Sequence, residues 1–256
     1  MTTAIIIGAG NVATHLALAM YHSGVKILAI YARKQQSAEK LANKVDAKSF
    51  TDLSLLPGNA SLNIIAISDS AIELVSNKLQ TNGIVVHTSG ITPMSVLAKH
   101  PRRGVFYPLQ SFKVNVPVKF NEVPVLIEAS DEEALNLLKK VANLISKQVV
   151  EVQTHERQMV HLAAVFANNF TNHLYAVAHD ILQGHGLSFD MLKPLIAQTA
   201  ANMQHQLPEN VQTGPAARVD MDTIEMHLQL LREHLPYRQL YELISASIIE
   251  KQNNRK

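Results

Sequence analysis

The first half of the chain alternates short, nearly unbroken apolar runs with segments whose apolar residues recur every three or four positions. Ala4–Gly8, Val25–Tyr31, Leu62–Ser68, Gly83–Thr88, Gly104–Tyr107 and Val123–Glu128 read as strands. The first four are so rich in Ile, Val, Leu and Ala that both faces of each are expected to be buried. Helices are expected at Val12–Ser23, Ser37–Lys44, Ser70–Leu79, Pro93–Ala98 and Asp131–Ile145, the last capped by Ser130 or Asp131, with Val149–Val152 as a final strand. Such alternation predicts a parallel sheet with right-handed crossovers. From His155 onward the strand signal stops. His155–Gln183 reads as one long helix ended by Gly184 and Gly186, and a second opens at Ser188 and runs to about Gln206. Pro194 either kinks that second helix or confines its regular part to the residues beyond the proline. After a break at Pro208–Thr213, two more helices are expected over Asp222–His234 and Tyr237–Lys251. The fold class is therefore α/β: a parallel-sheet domain over residues 1–152 followed by an all-α domain over residues 153–256.

A glycine loop gives the first domain a chemistry. Ile5-Ile6-Ile7-Gly8-Ala9-Gly10-Asn11-Val12-Ala13 fits G-x-G-x-x-A directly after a strand and at the start of a helix. Gly8 permits the tight turn, Gly10 lets the backbone approach a pyrophosphate, and Ala13 keeps helix and sheet close. The first turn of the helix, at Asn11 and Val12, offers free N–H groups and the positive end of its dipole. In this strand–helix–strand context the motif marks a Rossmann dinucleotide site. An NAD site places an acid at the end of the second strand, for the ribose 2′-hydroxyl. Here no acidic residue occurs before Glu39, and the strand end reads Tyr31-Ala32-Arg33-Lys34 with Ser37 beyond. Arg33 and Ser37, with Lys34 as a third, suit a 2′-phosphate, so the expected cofactor is NADP.

Ligands of open parallel sheets lie beyond the carboxyl ends of the strands. Ser68, Thr88 and Ser89 stand there as cofactor-facing candidates, while His87 and Gln110 are placed to reach a substrate. For Ser68 and Asp69 helix capping is an equal alternative. On the long helix, Asn168, Asn172, Tyr175 and His179 fall within about 40° of the line through His161, taking the ordinary α-helical repeat. This uncharged polar stripe fits either a lined pocket or a buried hydrogen-bond network. In Thr213–Asp220, Arg218 is either a surface ion-pair partner of Asp220 or an anchor for a substrate carboxylate, and Asp222 with Glu225 resembles a capping box.

Composition removes several alternatives. The chain has no cysteine, which excludes disulfides, thiolate catalysis and Cys-ligated zinc. His155-Glu156 lacks the second histidine of H-E-x-x-H, so no metal site is expected. Scattered basic residues, a net charge of +2 and no tryptophan leave no footprint for nucleic acid. No apolar run reaches the length of a membrane span, and the apolar N-terminal stretch has no basic region before it, so the expected location is cytoplasmic.

The stretches IIIGAGNVA (Ile5–Ala13), HTSG (His87–Gly90), YPLQSF (Tyr107–Phe112), HLAAVFANNFTNHLY (His161–Tyr175) and TGPAARVD (Thr213–Asp220) resemble the Rossmann-like proteins with a DUF2520 C-terminal domain, often labelled NADP oxidoreductases. These are relatives of pyrroline-5-carboxylate reductase and of the 6-phosphogluconate and β-hydroxyacid dehydrogenases. The resemblance implies a helical C-terminal domain like that of 6-phosphogluconate dehydrogenase, a homodimer formed through it, and an active site between domains. In β-hydroxyacid dehydrogenases a lysine four residues before an asparagine of the long helix is the general acid. Here Val165 stands four before Asn169 and Ala164 four before Asn168, so that lysine is missing. Imine reduction, which pyrroline-5-carboxylate reductase performs without such a lysine, stays open beside carbonyl reduction. The expected function is hydride transfer between NADP(H) and a small carbonyl or imine substrate. His161 or His87 would handle the proton, Asn168 and Asn172 would orient the substrate, and Arg218 would anchor an acidic group. The competing expectation is a non-catalytic NADP(H)-binding sensor or scaffold acting through its helical domain.

Overall fold

The computed structural model describes residues 2–254. The chain divides into two compact units, Met1–Asn169 and Phe170–Lys256.

The first unit is built on an eight-stranded sheet. In chain order its elements are β1 (Thr3–Ile7), α1 (Asn11–His22), β2 (Lys26–Tyr31), α2 (Gln35–Ala42), β3 (Lys48–Phe50), β4 (Leu62–Ile65), α3 (Ile72–Lys78), β5 (Ile84–His87), β6 (Arg103–Pro108), β7 (Val125–Ala129), α4 (Glu132–Ile145), β8 (Val149–Glu151) and α5 (Thr154–Ala164). The strand order is β3-β2-β1-β4-β5-β6-β7-β8. All neighbours run parallel except β6 and β7, which pair antiparallel from Gly104–Ala129 to Pro108–Val125. That reversal departs from the all-parallel expectation: no crossover helix links the two strands, only the loop carrying a short 3₁₀ turn at Phe120–Glu122. The apolar runs are buried on both faces. Ala4 and Ile6 pack with Leu16, Met20 and Leu138 on one side, and Ile5 and Ile7 with Ile65, Ile72 and Leu97 on the other.

Local chemistry sets the helix ends. Asp131, of the two candidates, caps α4, its Oδ1 accepting from the Ala134 N–H at 2.9 Å. Ala134, Leu138, Val141, Ala142 and Ile145 then form the buried stripe of α4. At α5, Gln153 and Glu156 close a capping box, the Gln153 N–H donating to Glu156 Oε2 at 2.8 Å. Pro93–Ala98 forms a 3₁₀ turn at Met94–Leu97 rather than an α-helix. β3 was not expected, because three residues reading Lys-Ser-Phe at a sheet edge carry no apolar signature.

The long helix is interrupted. After α5 the segment Val165–Phe170 winds as a π-helix before α6 (Thr171–Gln183) continues. A π turn closes i→i+5 bonds and so takes up one extra residue, which breaks the constant α-helical pitch. The stripe drawn at constant α-helical pitch therefore ends there.

The second unit contains α6, α7 (Lys193–Asn202), α8 (Pro215–Arg218), α9 (Met221–Leu230) and α10 (Leu235–Asn253). Pro194 lies in the first turn of α7, so the regular helix continues beyond it without a kink. The cap of α9 is Asp220, which accepts from the Thr223 N–H at 3.1 Å; Asp222 lies inside the first turn. The buried apolar residues of this unit's cluster are Ala216, Ile224 and Leu228.

Candidate cofactor and active site

The order β3-β2-β1-β4-β5-β6 reverses direction between β1 and β4, the switch point at which ligands of such sheets bind. A cavity of about 1380 Å³ opens there, and every residue lining it belongs to the first unit. At one end lie Gly8, Gly10, Asn11 and Val12 from the β1–α1 turn, with Arg33, Lys34 and Ser37 beside them. The middle is formed by Ser68, Asp69, Thr88 and Ser89, and the far end by Tyr107, Gln110, His161, Asn168 and Asn169.

The glycine loop fits a dinucleotide, and its two glycines do so differently. Gly8 has φ +133°, and a Cβ there would stand 2.1 Å from the Ala66 carbonyl oxygen, so the fold itself requires glycine. A Cβ on Gly10 would meet nothing within 4 Å, which leaves open space above the first turn of α1. No side chain caps that turn, so its leading N–H groups face the opening. Ala13 is fully buried and holds α1 against the sheet. Arg33 and Lys34 are exposed and form no ion pair among the described residues. The Asn11 side chain is tied to the far loop, its Oδ1 accepting from the Val114 N–H at 3.1 Å.

The strand-end residues separate into ligand-facing and structural. Ser68 precedes a 3₁₀ turn without capping it, and its exposed hydroxyl is left to the cavity. Ser89 Oγ instead serves its own turn, accepting from the N–H groups of Ile91 (3.2 Å) and Thr92 (3.0 Å). His87 is wholly buried and does not line the cavity. Its Nδ1 accepts from the Ser89 N–H at 3.2 Å, and the Pro93 backbone also acts on the ring. Burial, and then the positive charge of Arg157, push its imidazole down to about 4, so it is neutral at ordinary pH.

His161 sits at the cavity wall, its Nδ1 in hydrogen-bond contact with the Tyr107 hydroxyl at 3.0 Å and the two rings edge-to-face. Both rings press on Gly90: a Cβ at that residue would stand 2.5 Å from His161 Nδ1 and 2.9 Å from Tyr107 Cζ. Gly90 is held from behind by Arg157, one turn before His161 on α5. The Arg157 side chain is completely buried; Nη1 donates to the carbonyls of Ser89 and Gly90, each at 3.0 Å, and Nη2 to Glu128 Oε2 at 3.0 Å. Thr154 Oγ1 donates to the other Glu128 oxygen at 2.6 Å. Neither Arg157 nor Gly90 carried a functional reading in sequence. The usable signal was the i,i+4 spacing of Arg157 and His161, which puts both on one helix face.

Asn172 and Arg218 belong to the second unit. Asn172 is exposed on α6. Arg218 is 66% exposed and pairs loosely with Asp220 at 3.9 Å, whose carboxylate is engaged in capping α9. Among the described residues no cluster of three or more His, Asp or Glu side chains could hold a metal ion, and no helix is long and apolar enough to cross a membrane.

Two family models match the chain, a Rossmann-like domain over residues 2–110 and DUF2520, a domain of unknown function, over residues 123–248. A Bacteroides fragilis protein named as a presumed NADP oxidoreductase is 41% identical, with a TM-score of 0.90 over 97% of this chain and 98% of that one. The chain belongs to the Rossmann-like DUF2520 family. A second similar structure, a protein of Thermotoga maritima, is 24% identical with a TM-score of 0.76 over 98% and 99% of the two chains. The DUF2520 chain also shares its fold with a reductive aminase of Aspergillus terreus, solved with NADPH and ethyl levulinate, at 14% identity and a TM-score of 0.71 over 96% and 94%. No curated protein matches it significantly.

Proposed function

We propose that this protein is an NADP(H)-dependent oxidoreductase that reduces a small carbonyl or imine compound. One observation carries the proposal: a single cavity joins an open glycine loop and a basic strand end to a polar wall containing His161 and Asn168. The names of the similar structures support it, since that of 41% identity is a presumed NADP oxidoreductase and a more distant one was solved with NADPH. Gly10 and the first turn of α1 would hold the pyrophosphate, and Arg33 with Ser37 and Lys34 the 2′-phosphate. When bound, the nicotinamide supplies the hydride. Ser68 and Thr88 bound the middle of the cavity, and Asn168 orients the substrate. Proton handling falls to His161, because His87 is neutral, buried and off the cavity.

Calorimetric titration tests the cofactor half. NADPH is expected to bind more tightly than NADH. Arg33→Ala is expected to weaken NADPH by roughly 10- to 100-fold, the worth of a charge-assisted bond, with NADH unchanged. Binding of neither nucleotide would withdraw the oxidoreductase reading. Tight NADPH binding without oxidation against a panel of carbonyls and imines would favour a sensor or scaffold.

The helical unit is proposed to pair with a second copy of itself. It buries few apolar residues of its own, yet Leu195, Leu207, Met226, Leu230, Leu235 and Leu243 are all more than half exposed. A unit of that size needs more covered apolar surface to be stable alone. Light scattering is expected to give about twice the chain mass of 28.2 kDa, and Leu230→Glu to shift the protein toward monomer. A stable monomer at micromolar concentration would refute the pairing.

A further inference from the structure

We propose that the group delivering the proton to the substrate is the Tyr107 hydroxyl, and that His161 acts behind it as the source that restores the proton. This rests on the reductase reading above and names the residue that completes it.

The geometry separates the two roles. Tyr107 and His161 both line the cavity, and the hydrogen bond between them occupies His161 Nδ1, the ring nitrogen nearest the tyrosine. His161 therefore meets Tyr107 at that nitrogen. The Tyr107 hydroxyl has His161 as its one hydrogen-bond partner among the described residues, and Tyr107 lines the cavity, so that hydroxyl can serve a molecule held there. Burial raises the Tyr107 hydroxyl above its ordinary range, which keeps it protonated, the form able to donate. A phenol alone is a weak acid near neutrality. An imidazolium donating its Nδ1–H to the same oxygen stabilises the developing phenolate and makes the transfer accessible. Arg157 and Asp69 are the charged groups acting on Tyr107, the cation favouring phenolate and the carboxylate opposing it.

In the proposed step the substrate carbon accepts the hydride from the reduced nicotinamide, and the π pair of the C=O or C=N bond moves onto the heteroatom. That atom takes the proton from Tyr107 as the O–H bond breaks, leaving the electrons on the phenolate oxygen. The Nδ1–H of His161 returns a proton to the phenolate, and the imidazole is reprotonated from solvent. Two further residues keep the pair in place. Gly90 admits both rings because it has no Cβ, and Arg157 fixes the Gly90 carbonyl. Both are positioning residues.

The test uses the full chain with NADP⁺ bound and compares wild type with Tyr107→Phe and His161→Gln. ¹⁵N NMR of the histidine rings is expected to show the His161 Nδ1 resonance moving in Tyr107→Phe while Nε2 stays. An unmoved Nδ1 would overturn the proposal. NADPH oxidation is then followed with the cyclic imine pyrroline and with ethyl levulinate. Tyr107→Phe is expected to lower kcat by about 10²- to 10³-fold, the range for a lost general acid, with the KM for NADPH within twofold of wild type. His161→Gln should lose activity progressively as pH rises, where solvent no longer replaces the proton. Undiminished kcat in Tyr107→Phe beside an active wild type would overturn the proposal alone. A wild type that binds NADPH yet turns over neither probe would overturn the reductase reading and the proposal with it.

Discussion

Replacing Arg157 by methionine is expected to lower the unfolding free energy by about 3–5 kcal/mol, the cost of breaking a buried ion pair from one side. The guanidinium is fully buried, and the Glu128 side chain is only 12% exposed. Methionine fills most of the volume but leaves the carboxylate without its cation and the carbonyls of Ser89 and Gly90 without donors. Thermal or urea unfolding measures the effect, with a fall in melting midpoint of roughly 10 °C. Arg157→Lys keeps the charge without the planar fork and should fall between the two. Removing both charges, as in Arg157→Met with Glu128→Leu, should recover part of the loss, because the uncompensated carboxylate goes with its partner. A single-variant loss below about 1 kcal/mol would mean that the β5 loop is held by other contacts.

The second large effect concerns acid. His87 titrates near 4 in the folded chain, against an ordinary value of 6.5. The folded state therefore binds fewer protons than the unfolded state between these values. Its contribution to stability is complete above pH 6.5 and is lost as pH falls from 6.5 toward 4, amounting to about 3 kcal/mol. His100 is displaced the same way, chiefly by burial, and adds to the decline below its ordinary value. Denaturant titrations at half-unit pH steps are expected to show this decline, and His87→Gln to remove most of it. Asp52, Asp131 and Asp220, held below the usual carboxylate range by backbone N–H groups, add their losses at lower pH in both proteins. The two predictions are coupled: Arg157→Met removes one of the causes holding His87 down, so the window should narrow in that variant. An unchanged slope in His87→Gln would exclude His87 as its source.

Much of the fold was legible because its signals are local. Strands buried on both faces read as unbroken apolar runs, and the Gly8–Ala13 turn has few alternative structures. The features that escaped depend on context. β3 is too short and polar to announce itself, and the direction of β7 is set by the loop before it rather than by its own residues. The π turn at Val165–Phe170 has no composition of its own by which it could be read. In the candidate site, the glycine loop, Arg33 and His161 were visible as residue types in a pattern. Arg157 was not, because an arginine reads as exposed until its acceptors, drawn from β7 and from the loop after β5, are known.

The two glycines of the nucleotide loop also bear on how the family's history can be read. Gly8 is demanded by the chain's own packing against Ala66, so a descendant that had abandoned its cofactor would still carry it. Gly10 meets no such demand, and only a visiting ligand gives selection a reason to keep that spot bare. Across diverging lineages, drift at the second position beside constancy at the first would mark where redox ancestry had been left behind.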